Sequence, residues 1–79
     1  MTFYVYAIQS MSGRIYIGQT ADFEKRLALH NAGAVSPTRH DRPWTLRKLQ
    51  AFGTREQARY LERCLKRSRG SRQKWLATK

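Results

Sequence analysis

Apolar and polar positions along this chain switch between two periods, and each switch marks an element. Phe3-Tyr4-Val5-Tyr6-Ala7-Ile8 is a dense run of aromatic and β-branched residues, the composition of a strand. Ser10-Met11-Ser12-Gly13 supplies turn chemistry, and Arg14-Ile15-Tyr16-Ile17-Gly18 returns as a second strand. The period then lengthens. Phe23 and Leu27 share one strip of a helix that Thr20 or Asp22 can cap, while Arg26 and His30 share the next strip, at the edge of the packed face.

Ala32-Gly33-Ala34-Val35-Ser36-Pro37 is small and turn-forming, so the helix stops near Asn31 or Gly33. Thr38 to Pro43 reads as a basic loop carrying Arg39, His40 and Arg42, placed to meet a phosphate backbone. Trp44 to Phe52 alternates imperfectly. Leu46, Leu49 and Phe52 are spaced by three and cannot share one face of a regular strand, so a bulge or a twist at one end is expected. Thr54-Arg55-Glu56-Gln57 has capping-box form, and the helix behind it puts Ala58, Leu61 and Leu65 on its core stripe. Ser68-Arg69-Gly70-Ser71 ends that helix, and a short last helix is anchored by Trp75 and Leu76.

These elements predict one α/β (α+β) domain over residues 1–79: a three-stranded antiparallel β-sheet flanked by helices, in the order β-β-α-β-α-α. Strands are expected over roughly 3–9, 14–20 and 45–52, and helices over about 22–31, 54–68 and 71–77, each end carrying a few residues of margin.

Charge narrows the function. The 16 basic residues outnumber 5 acidic ones, for a net charge of +11, and self-repulsion on that scale opposes compactness unless the working partner is a polyanion. Nucleic acid is the leading partner. An acidic membrane surface is the runner-up, but no basic helix with large exposed apolar residues supports it, and no secretory signal or membrane-spanning run is visible. The single cysteine, Cys64, rules out an intrachain disulfide and fits a reduced cytoplasmic setting; it reads as a small, mostly buried hydrophobe. Neither a zinc-ligand cluster nor a Gly-rich phosphate loop is present.

On the second long helix Arg55, Arg59 and Arg63 repeat every four residues, extended by Lys66 and Arg67. Like charges so spaced cost about 0.2–0.5 kcal/mol per pair in isolated helices, a cost that a phosphate backbone alongside would reverse. Tyrosines in strands are ordinarily packing residues. Yet Tyr6 and Tyr16, once the hairpin is drawn, can both present hydroxyls toward the helix bearing Arg26 and His30. Glu62 stands among bases at the edge of the core stripe; it is either a helical ion pair with Lys66 or Arg59, or a functional acid facing the hairpin.

Tyr4-Val5-Tyr6, Tyr16-Ile17-Gly18, Arg26, His30-Asn31, the stretch from Thr38 to Trp44, and Glu62-Arg63-Cys64-Leu65-Lys66 together resemble the GIY-YIG nuclease domain, in particular its small stand-alone bacterial members. The likeness covers nearly the whole chain. Where the family's first motif begins Gly-Ile, this chain has Tyr4-Val5, with the motif's tyrosine retained as Tyr6. The resemblance implies Tyr6, Tyr16, Arg26, His30 and Glu62 as catalytic residues, Glu62 as the ligand of one Mg²⁺ (or Mn²⁺), and cleavage of DNA to a 5′-phosphate and a 3′-hydroxyl.

Those residue types suit the chemistry. A carboxylate takes a hard cation, and a guanidinium's planar fork matches a phosphate. A free tyrosine, with a pKa of roughly 10, needs about 4 kcal/mol of preferential phenolate stabilisation to serve as a base at neutral pH. Tyr16 is the first choice for that base and Tyr6 the second, with His30 as relay or orienting partner. The expected function is a metal-dependent endonuclease, weakly sequence-specific or structure-sensitive, in DNA repair or recombination, acting with a homodimer partner or a recruiting protein. The alternative is a non-catalytic nucleic-acid-binding module or adaptor on the same fold. RNA stays open as a substrate, because a basic surface does not read the 2′-hydroxyl.

Overall fold

In the computed structural model, which describes residues 1–78, the elements are β1 (Phe3–Ser10), β2 (Ile15–Thr20), α1 (Phe23–Asn31), a 3₁₀ turn (Ser36–Thr38), β3 (Trp44–Phe52), α2 (Arg55–Arg67) and α3 (Arg69–Ala77). The three strands form one antiparallel sheet in the order β2-β1-β3. β1 is therefore central. Its run Val5-Tyr6-Ala7-Ile8 is wholly buried, because apolar layers cover both faces of the sheet.

Parity assigns those layers. Val5, Ala7 and Ile17 pack with Ala58, Leu65 and Trp75 from α2 and α3, joined by Phe3, Phe52 and Leu61. Tyr6, Ile8 and Trp44 form the second cluster, with Tyr16, and with Phe23 and Leu27 of α1. Fully burying side chains of this size stabilises by about 1.5–3 kcal/mol each, so the two clusters hold the helices on opposite sides of the sheet. The β1–β2 turn closes with a bond of 3.0 Å from the Gly13 N–H to the Ser10 carbonyl, and Gly13 sits at φ +92°, where a side chain would be strained.

The expected bulge lies in β3. Ala7 pairs with Lys48 but Ile8 pairs with Leu46, which leaves Arg47 as the extra residue. That insertion puts Leu46 and Leu49 on the Tyr6 face despite their odd spacing. Phe52 is the correction: it pairs with Phe3 and packs with the other cluster, because two regular steps separate it from Gln50 on the face opposite Leu49.

Capping explains the helix limits. The Asp22 carboxylate, rather than Thr20, accepts the Lys25 N–H at 3.2 Å, while Thr20 Oγ1 accepts the Asp22 N–H at 3.1 Å and shapes the approach. Thr54 Oγ1 accepts the Gln57 N–H at 3.2 Å. Ser68 serves two helices at once. Its N–H closes α2 on the Cys64 carbonyl at 3.1 Å, and its hydroxyl accepts the Ser71 N–H at 3.2 Å, so α3 begins at Arg69 rather than near residue 71. Trp75 is 9% exposed and its indole N–H donates to Gln50 Oε1 at 2.7 Å, docking the last helix as its aromatic anchor suggested. No helix among the described residues is long and apolar enough to cross a membrane.

Candidate active site

Register places Tyr6 opposite Gly18, and the phenol leans over that glycine so closely that a Cβ there would overlap the Tyr6 hydroxyl. The space belongs to Tyr6 alone. Its hydroxyl meets His30 Nε2 at 2.8 Å, His30 Nδ1 meets Thr38 Oγ1 at 2.8 Å, and the Thr38 hydroxyl donates to the Val35 carbonyl at 3.2 Å. From the other side Arg26 Nε donates to the Tyr6 oxygen at 3.5 Å. His30 is thus not at the edge of the packed face: it is fully buried, because Tyr6 and Thr38 satisfy both ring nitrogens there.

Burial sets the protonation of this pair. It pushes the Tyr6 phenol up from its ordinary value, against the hydrogen bond and positive charge of Arg26. The same loss of water, with Arg26 nearby, pushes His30 down to about 4. Both groups are neutral at pH 7.

Tyr16 lies on the outer side of His30, with ring centroids 5.1 Å apart, and is half-buried. Lys66 Nζ sits 5.3 Å from the centre of the Tyr16 ring and 3.2 Å from a Glu62 carboxylate oxygen. Through these contacts α1, β1, β2 and α2 bring Arg26, His30, Tyr6, Tyr16 and Glu62 into one neighbourhood. Glu62 makes the helical ion pair and also lies in an open trough with Arg59, Arg63, Lys66 and Arg67. Arg55, the first residue of the basic stripe, stands apart from that trough, its guanidinium 4.8 Å from the centre of the Phe3 ring.

The donor set fits a hard cation of one kind. Among the described residues no three His, Cys, Asp or Glu side chains gather, and Glu62 is the one acid lining the trough. A single, 22%-exposed carboxylate suits Mg²⁺ or Mn²⁺, ions that keep several waters and take phosphate oxygens from the substrate. It does not suit zinc, which requires three or four protein ligands.

Arg39 and Arg42 belong to a loop with its own anchors. Asp41 accepts from Ser10 Oγ at 2.9 Å and Ser12 Oγ at 2.7 Å, with Arg14 3.7 Å away, and these partners hold its carboxyl below the usual range. Arg39 Nε donates to His40 at 3.3 Å, and Arg42 donates to the Asn31 carbonyl at 3.4 Å. Both arginines are exposed on the loop.

Two residues emerge that sequence patterns did not single out. Thr38, assigned to a basic loop, is buried beneath His30, and its carbonyl accepts the Trp44 indole N–H at 2.9 Å. Gly18 was legible only as part of a motif, whereas its register opposite Tyr6 explains it. Asn31 has a framing role: its side chain accepts the Trp44 N–H at 2.6 Å and donates to the Trp44 carbonyl at 3.0 Å, fixing the start of β3 against α1.

The GIY-YIG catalytic domain model matches residues 2–75. A UPF0213 protein of Streptococcus pneumoniae is 39% identical over 67 residues, covering 84% of this chain and 68% of the relative. A UPF0213 protein of Halobacterium salinarum is 39% identical over 56 residues, covering 70% of this chain and 73% of the relative. The solution NMR structure of a UPF0213 protein from Bacillus halodurans superposes with a TM-score of 0.63 at 30% identity, covering 98% of this chain and 84% of that one.

Proposed function

The chain belongs to the GIY-YIG catalytic domain family, and from that premise we propose that it is a metal-dependent endonuclease hydrolysing DNA phosphodiester bonds with little sequence preference. The observation that carries this reading is the run of contacts from Arg26 through Tyr6, His30 and Tyr16 to Lys66 and Glu62. It unites a phosphate-binding fork, a phenol and a carboxylate contributed by three elements.

Each side chain has a task that its placement permits. Arg26, partly exposed, turns its guanidinium toward a non-bridging phosphate oxygen while Tyr6 holds its Nε. Tyr16, half-buried beside the Lys66 ammonium, is the base that takes a proton from the attacking water. Tyr6 suits that task less, since burial keeps its phenol protonated. Glu62 would hold Mg²⁺ or Mn²⁺, and the bound cation would stabilise charge on the phosphoryl group and the leaving oxygen. Lys66 must release Glu62 for this and can then neutralise phosphate. Arg59, Arg63 and Arg67 track the DNA backbone along the trough, which binds by charge rather than by reading bases.

The Glu62–Lys66 ion pair favours a second reading, a nucleic-acid-binding module in which Glu62 is structural. Nicking of supercoiled plasmid in Mg²⁺ or Mn²⁺, by the wild type and by Glu62→Ala, separates the two. Metal-dependent cutting lost in the variant while DNA binding persists supports the nuclease. Salt-sensitive binding without cutting by either protein supports the module.

A further inference from the structure

We propose that Thr38 is a positioning residue which, through His30 and Tyr6, sets the direction of hydrogen bonding onto Arg26. The four side chains form one chain that can be protonated in two ways. In the first, Arg26 Nε–H donates to Tyr6, Tyr6 O–H to His30 Nε2, His30 Nδ1–H to Thr38, and Thr38 O–H to the Val35 carbonyl. Every hydrogen has an acceptor. In the second, Thr38 donates to Nδ1 and Nε2–H donates to Tyr6. The Tyr6 oxygen then receives two N–H groups while its own hydrogen faces no acceptor, on a side chain 1% exposed. A buried hydroxyl hydrogen without a partner is the costlier arrangement, so the first prevails.

The direction matters for Arg26. In the first arrangement Tyr6 turns a lone pair to Nε and holds the guanidinium by that one nitrogen; in the second its lone pairs are shared with His30 and the grip slackens. Thr38 supports the first because its hydroxyl hydrogen goes to the Val35 carbonyl, which also takes the Thr38 N–H at 3.1 Å, leaving Oγ1 as an acceptor for His30. Thr38 itself is fully buried and touches no substrate. The tautomer assignment stands on these contacts alone, whereas its consequence for cutting rests on the nuclease reading.

The test uses ¹⁵N-labelled protein at pH 7, where long-range proton–nitrogen spectra report which His30 nitrogen carries hydrogen. The expected wild-type result is a proton on Nδ1, a bare Nε2, and a slowly exchanging Arg26 Nε–H. Thr38→Val should move the proton to Nε2 or give a mixture, and speed exchange at Arg26 Nε about tenfold or more; Thr38→Ser should restore both. On supercoiled plasmid, Thr38→Val should lower kcat roughly 10- to 100-fold with KM little changed, the scale of loss when a remote change misplaces a positioned group by about 1 Å. A wild-type proton on Nε2 overturns the proposal, and so does a Thr38→Val protein with wild-type spectra or wild-type kcat. Should Thr38→Val not fold, the wild-type and Thr38→Ser spectra still decide the direction. A wild type that cuts nothing but shows the Nδ1–H tautomer removes the nuclease reading and leaves the assignment intact.

Discussion

Single atoms at Gly18 and His30 set narrow tolerances. A methyl group at position 18 would overlap the Tyr6 hydroxyl and the ring carbon that bears it, and β1, pinned between two strands, cannot retreat. Gly18→Ala is therefore expected to cost about 1–3 kcal/mol in urea unfolding and to displace Tyr6 from His30; a fully stable variant would mean the ring moves freely. His30 gives the protein an acid limit. Above about pH 6.5 the ring is neutral folded or unfolded, so its ionisation leaves stability unchanged. Below that the unfolded chain takes up a proton that the folded site resists down to about 4, and stability falls across the window by roughly 3 kcal/mol. Asp41 adds a loss at lower pH, as its carboxylate is protonated and releases Ser12 and Ser10. Urea unfolding between pH 7 and 4 checks the His30 window, and a flat profile across it would remove the buried neutral histidine.

At the level of elements, α3 is held by its aromatic anchor. Trp75 packs on the α2 side of the sheet, bonds Gln50, and lies under the Lys48 ammonium, 5.0 Å from its ring centre. Trp75→Ala is expected to cost about 3–5 kcal/mol, a large share of the stability of so small a domain, and to release α3 to proteolysis; resistance equal to wild type would refute the anchoring role. The strands and helices were legible because their signals are local: β-branched runs, a 3.6-residue stripe, and Asp22 and Thr54 before α1 and α2. The geometry of the candidate site was legible in part. Motif likeness brought Tyr16, Arg26 and Glu62 forward, but the burial of His30 was hidden, since nothing on α1 says that Tyr6 and Thr38 will meet both its nitrogens. Thr38 was read as loop for the same reason: one threonine after a proline carries no periodic signal, and its role comes from a partner eight residues earlier. Phe52 was misplaced because a bulge changes parity at one point only, and sequence spacing does not locate that point.

Over the whole molecule, a charge of +11 and a trough with four basic residues predict, on the nuclease reading, a DNA affinity that depends on salt. Binding should weaken linearly in log–log form as salt rises, and each of Arg59→Gln, Arg63→Gln and Arg67→Gln should reduce the slope by about 0.9 where its phosphate contact is made. Arg55→Gln, with its guanidinium over Phe3, should change the slope less. Fluorescence anisotropy from low to moderate salt measures both, and an affinity insensitive to salt would end the backbone-tracking account. The bulge at Arg47 bears on a different hazard. β3 is an outer strand of the sheet, and a straight outer strand offers its unpaired N–H and carbonyl groups to any other chain that arrives extended. Arg47 breaks that row near its middle, and with Lys48 reaching to the carbonyls at the end of α3 it leaves a kinked, cationic border. The irregularity that sets the faces of Leu46 and Leu49 thus also guards against amyloid-like stacking, and a chain lacking Arg47 should bind thioflavin where the wild type stays clear.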